Sequence, residues 1–157
     1  MKRIIVILLT SVSISKTASS SSDIEGLARV IDGDTIVINS QRIRLYGIDA
    51  PEKKQTCKRH IWHDWPCGKV STERLRLVIG LRRARCDIKS HDRYGRSVAV
   101  CYVGKTEINQ WMVKNGFAVA YRKYGGSIYD NEETFARSNK LGIWDSDFDM
   151  PWEWRKK

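Results

Sequence analysis

The sequence predicts an α+β domain, a small closed antiparallel barrel of five strands with about three helices packed outside it. Three observations carry that expectation. Short β-branched runs bounded by turn residues come first, at 27–31, 35–38 and 42–46. A longer amphipathic stretch at 69–79 separates them from a second strand pair at 84–88 and 98–103. Two further helical stretches, at 106–115 and 132–140, are each followed by a glycine stop, Gly116 and Gly142. No internal repeat interrupts this order. A chain of 157 residues forms one domain with a core that needs no metal or disulfide to close.

Taken in order, Leu27-Ala28-Arg29-Val30-Ile31 and Thr35-Ile36-Val37-Ile38 are broken by Asp32-Gly33-Asp34. That triplet reads as a hairpin turn in which Asp and Gly accept positive φ. Asn39-Ser40-Gln41 turns the chain again, and Arg42-Ile43-Arg44-Leu45-Tyr46 alternates with both arginines on one face. A loop is expected over 51–66. The helix at 69–79 offers Ser71 and Thr72 as caps and Gly80 as its end. Ile108, Trp111 and Met112 recur at helical spacing. The whole order fits a barrel of the OB type.

The chain opens with Lys2-Arg3, an apolar run over 4–14 and small polar residues over 15–22. This is the order of a secretory signal peptide, too short to persist as a spanning helix. The expected organisation is therefore a signal peptide and flexible leader over 1–22 and a folded domain over 23–157. The product would be secreted or periplasmic, monomeric, and without stable membrane association after cleavage. The formal net charge is +10 with a pI near 9.6. Loss of Lys2, Arg3 and Lys16 leaves about +7, which still points to an anionic partner.

Four cysteines fit export. The midpoint between Cys86 and Cys101 falls at Arg93/Tyr94, so strands folding back there bring the two thiols opposite each other. Cys57 and Cys67 would then close a small surface loop. A Cys₂His₂ zinc site from Cys57, His60, His63 and Cys67 is the rival, disfavoured by its tight spacing and by an oxidising compartment. His60, His63 and His91 otherwise read as surface residues. Trp111 and Trp144 read as core, and Arg155-Lys156-Lys157 as a solvated tail. Trp62, Trp65, Trp152 and Trp154 sit among polar residues; a structural or adhesion module using them would show no metal dependence.

The chemistry is concentrated between 30 and 52. Asp32, Asp34, Asp49 and Glu52 flank Arg44 across strand and turn residues. Clustered carboxylates repel, and a site that gathers them at strand ends calls for a cation. Oxygen ligands without imidazole or thiolate select a hard ion, Ca²⁺ or Mg²⁺. Separately, Asp32-Gly33-Asp34 is an ordinary hairpin turn, Ala50-Pro51-Glu52 a loop with a solvated acid, and the segment from Arg93 to Arg96 an exposed bend at Gly95.

Four motifs together carry a resemblance. Ile31-Asp32-Gly33-Asp34-Thr35, Arg44-Leu45 through Asp49-Ala50-Pro51-Glu52, Asp92-Arg93-Tyr94-Gly95-Arg96 and Leu141-Gly142-Ile143-Trp144 resemble, in order and spacing, the staphylococcal-type thermonucleases. The resemblance implies an OB barrel with three helices. It implies Ca²⁺ held by Asp34, Asp49 and the backbone carbonyl of Ala50, with Asp32 supporting the ion through water. It implies Glu52 as general base and Arg44 and Arg96 as the arginines that grip the scissile phosphate. Alanine at 50, where many relatives have threonine, is tolerated because the main chain is the ligand. Tyr94 resembles a tyrosine near the nucleotide phosphate, and Tyr121 and Tyr124 resemble tyrosines of the base pocket, although the spacing after Tyr121 departs from the family pattern. The implied activity is calcium-dependent hydrolysis of DNA and RNA with low sequence specificity, leaving 3′-phosphate ends. The alternative is a catalytically silent OB module that only binds nucleic acid; such modules lose the metal acids or arginines, all of which stand in this chain.

Overall fold

The computed structural model describes residues 23–59 and 63–157. The expected signal peptide and leader lie outside the described residues, as do His60 and Trp62. The chain runs β1 (Asp23–Asp32), β2 (Thr35–Ile38), β3 (Gln41–Leu45), the two-residue β4 (Ile48–Asp49), and a small hairpin of β5 (Cys57–Arg59) and β6 (His63–Trp65). It continues through α1 (Cys67–Ile79), β7 (Arg83–His91), β8 (Ser97–Val103), β9 (Thr106–Glu107), α2 (Ile108–Lys114), β10 (Val119–Ala120), α3 (Asp130–Ser138) and α4 (Pro151–Trp154).

Five strands close a barrel in the order β3-β2-β1-β7-β8, with β3 returning to β8. The ten-residue β1 serves two neighbours. Its second half pairs with β2, Ala28 opposite Ile38, and its first half with β7, Ile24 opposite Cys86. The expectation of a wholly antiparallel barrel is corrected at one seam. Ile43 faces Ser97 and Leu45 faces Ala99 in parallel register. The reason is parity: directions that alternate along five strands leave the first and last pointing the same way, so the closing pair must be parallel.

Alternation fills the interior with Ile36, Ile38, Ile43, Leu45, Ala99, Cys101 and Val103, each 1% exposed or less. Burying one such leucine or isoleucine contributes roughly 1.5–3 kcal/mol. Helix α1 lays Leu75 and Ile79 on this core, and α2 adds Ile108 and Met112. Buried Asn109 fixes α2 to the barrel. Its amide donates to the carbonyls of Tyr46 and Ala99, and its Oδ1 accepts from the Cys101 N–H. The Cys86–Cys101 disulfide spans directly opposed residues of β7 and β8, as the midpoint rule required.

A second, smaller core surrounds the Cys57–Cys67 disulfide. Both cysteines pack fully buried with Val119 and Ile143 against Trp65, Trp144, Phe148, Met150 and Trp152. The loop that this disulfide closes lies at the surface as expected, with Lys58, Arg59, His63 and Asp64 exposed, while the disulfide itself is buried. One expectation is corrected: 51–66 is not without regular structure. The β5–β6 hairpin has no apolar alternation to announce it; the disulfide and a backbone bridge between Lys58 and Asp147 hold it. Oxidation of both thiols also removes the Cys₂His₂ zinc alternative. Nor are Ser71 and Thr72 caps. Helix α1 starts at Cys67, and Thr72 donates its hydroxyl to the Gly68 carbonyl inside the helix. Among the described residues no helix is long and apolar enough to cross a membrane.

Candidate functional site

One end of the barrel opens into a cleft of about 910 Å³, whose lining includes Asp32, Asp34, Arg44, Glu52, Tyr94 and Arg96. The acids reach it through close backbone approaches. Gly33 has no positive φ; it is required because a Cβ there would sit 2.6 Å from the Ala50 Cβ. The first hairpin is thereby pressed against the segment that carries Asp49, Ala50 and Glu52. A Cβ on Gly68 would lie 1.7 Å from the Glu52 carbonyl oxygen, so the first turn of α1 backs the same segment from the other side. The turn expectation for Asp32-Gly33-Asp34 holds in place but not in its stated reason.

Asp34 is 5% exposed. Its Oδ1 accepts from the Thr35 hydroxyl at 3.0 Å and from Arg44 Nη1 at 3.2 Å, and its Oδ2 accepts from the Ala50 N–H at 3.2 Å. Asp49 is 0% exposed. Its Oδ1 accepts from Arg44 Nη2 at 2.8 Å. One guanidinium therefore bonds both carboxylates, which places Asp34 and Asp49 within the span of a single cation. Asp32 accepts from the Asp34 N–H at 3.2 Å. Burial, and then the charge of Asp34, push its carboxyl up to about 6. Burial also raises Asp49, opposed by hydrogen bonds from Arg155 and the charge of Arg44. Three acids thus stand where two of them are costly to ionise without further positive charge. Their oxygen-only donor set fits a hard divalent ion. Among the described residues no three such side chains converge as a finished metal cage, because arginines lie between the carboxylates.

Arg96 enters the cleft from the β7–β8 turn and meets none of these acids. Asp92 accepts from its Nε at 2.6 Å and from the backbone N–H groups of Tyr94 and Arg96. Burial works to raise Asp92, but those bonds, the Arg96 side chain's foremost, hold it below its ordinary value. Gly95, at φ +75°, makes the bend. Tyr94 is exposed, with the Arg93 and Arg96 guanidiniums 4.8 and 5.7 Å from its ring centre. Tyr121 and Tyr124 face the same cleft with ring centres 4.7 Å apart.

Three residues of the site escaped the sequence reading. Arg155, read there as solvated tail, donates from Nη1 to Asp49 Oδ1 at 3.0 Å and Glu52 Oε1 at 2.6 Å, and from Nη2 to Asp49 Oδ2 at 2.8 Å. Trp152 stacks on Tyr121, with centres 5.0 Å apart and planes 5° from parallel. Buried Gln55 accepts from the Glu52 N–H and donates to the Asp149 carbonyl, tying the acid segment to the C-terminal tail. No local pattern marks these three; only their partners, roughly a hundred residues away for Arg155 and Gln55, give them a role.

The arrangement is a basic cleft with an acidic floor, and residues 42–146 match the staphylococcal nuclease homologue family. The chain belongs to that family. The matched stretch holds Arg44, Asp49, Glu52 and Arg96, while the Asp32-Gly33-Asp34 turn precedes it. Relatives extend the likeness further. An endonuclease of Escherichia coli O157:H7 is 37% identical over 87% of this chain and 88% of its own. The micrococcal nuclease of Shigella flexneri is 36% identical over 83% of this chain and 79% of its own. The succinoglycan biosynthesis protein ExoI of Rhizobium meliloti strain 1021 is 35% identical over 90% of this chain and 75% of its own. Family membership accords with the barrel and the flanking helices.

Proposed function

We propose that the protein is a calcium-dependent nuclease that hydrolyses DNA and RNA with low sequence specificity and leaves 3′-phosphate ends. The observation that carries this reading is the single Arg44 guanidinium bonded to both Asp34 and Asp49 at the foot of a basic cleft. The endonuclease and micrococcal nuclease names of two relatives support it.

In this reading Asp34, Asp49 and the Ala50 carbonyl hold Ca²⁺, with Asp32 acting through water. When bound, the ion neutralises phosphate charge and orients the phosphodiester. Arg44 and Arg96 hold the scissile phosphate from the barrel and from the turn. Planar guanidiniums suit paired phosphate oxygens, and charge fixed in advance stabilises the transition state. Glu52 takes the proton of the attacking water. The P–O5′ bond breaks, the new P–O bond comes from water, and the leaving 5′ oxygen takes up a proton. Tyr94 stands beside the phosphate. Tyr121 and Tyr124 offer stacking faces that any base can use, which suits low specificity. The residues over 1–22 direct export to the periplasm or medium, where the disulfides persist, and the mature protein acts as a monomer.

Purified protein incubated with single-stranded DNA should cleave in Ca²⁺, stop on chelation, and stop with Glu52→Gln in Ca²⁺. Binding without cleavage under every condition would leave the silent nucleic-acid-binding module instead.

A further inference from the structure

Asp49 has two arginines and no exposure. Arg44 comes from β3 inside the barrel wall, and its side chain is 19% exposed. Arg155 comes from the tail and is 37% exposed, so it is the outer cover of the carboxylate. Its position is built by a series of contacts. Lys58 and Asp147 exchange backbone hydrogen bonds at 2.8 Å, Gln55 donates to the Asp149 carbonyl at 2.7 Å, Pro151 is buried, and Trp152 stacks on Tyr121. From that docked segment Arg155 reaches back to both oxygens of Asp49 and to Glu52.

We propose that Arg155 is a tethered counter-ion of the calcium seat: its guanidinium neutralises Asp49 and Glu52 until a divalent cation displaces it. The inference rests on the reading of Asp34 and Asp49 as calcium ligands. Asp49 Oδ2 has Arg155 as its hydrogen-bond donor, so an ion that takes this oxygen takes it from Arg155. Apparent affinity is then reduced by the share of molecules in which the latch is closed. Removing the latch should tighten metal binding and loosen the metal-free protein, two effects of opposite sign. An arginine that merely packed the tail would produce only the second.

The experiment is a calorimetric titration of the purified protein with CaCl₂, with thermal melts in chelator, for wild type, Arg155→Gln, Arg155→Lys and Lys157→Gln. Arg155→Gln should bind Ca²⁺ about 3- to 10-fold tighter and melt lower in chelator. Arg155→Lys, which keeps the charge and loses the fork, should fall between it and wild type. Lys157 pairs with Asp149 on the same tail, so Lys157→Gln removes an equal charge and should shift affinity by less than about twofold. If Arg155→Gln does not fold, Arg155→Lys decides in its place. Affinity equal to or weaker than wild type in the deciding variant overturns the counter-ion while leaving the calcium reading intact. An equal gain in Lys157→Gln overturns it too, because general charge then suffices. No calcium binding in any of the four proteins overturns both.

Discussion

Asp34, Arg44 and Asp49 stand on the first hairpin, β3 and β4, against the barrel core, with Gly33 and Gly68 setting how closely their segments approach. Tyr121, Trp152 and Arg155 meet them at the same cleft, carried by the segment after β10 and by the tail, with Trp152 packed on the Cys57–Cys67 core. The first group is fixed by strand ladders and nearly closed to solvent. The second is fixed by a disulfide, an aromatic stack and a few main-chain bonds. Under the proposed function, chemistry falls to the barrel side and substrate and counter-ion handling to the tail side, so the contrast teaches that the two sides of one site should fail separately.

The largest expected effect belongs to the barrel side. Glu52→Gln should lower the rate of DNA cleavage on the order of 10²- to 10⁴-fold while the melting temperature stays near wild type. Equal activity would remove Glu52 as base. Arg44→Ala and Arg96→Ala should each cost about 10²–10³-fold in kcat, and melting separates them. Arg44→Ala leaves buried Asp34 short of a donor and should destabilise by about 1–3 kcal/mol. Arg96 braces only its own turn, and its loss should be nearly silent in a melt.

On the tail side, replacing Cys57 and Cys67 together by serine opens a loop with a sequence separation of 10. That should lower stability by about 2–3 kcal/mol and raise KM more than it lowers kcat. A fall in kcat as deep as that of Glu52→Gln would break the contrast, because the tail side would then be holding the reacting groups. The smallest effect is expected of Tyr124→Ala. Its exposed ring should contribute about 1 kcal/mol of single-strand affinity, read by titration of the inactive Glu52→Gln background, with little change in stability.

Much of the barrel was legible because strand alternation and turn residues act locally. Ile43 and Leu45 point inward because Arg42 and Arg44 point outward, and the Cys86–Cys101 pair follows from the symmetry of the turn between them. Five strands were countable, yet the parallel β3–β8 seam follows only when the ring is closed. The β5–β6 hairpin was hidden because nothing in Cys57-Lys58-Arg59 or His63-Asp64-Trp65 alternates; its stability is borrowed from the covalent bridge and from Asp147.

The sequence by itself determined the barrel, its acids and its two motif arginines, since each lies in a short segment whose residue types carry the meaning. Only the tertiary structure decided that Arg155 covers Asp49, that Gln55 joins the acid segment to the tail, and that Trp152 stacks on Tyr121. Their roles arise from contact between parts of the chain far apart in sequence: Trp152 packs on the Cys57–Cys67 core, and hydrogen bonds of Gln55 and Arg155 join the tail to the acid segment, none of which a local propensity encodes.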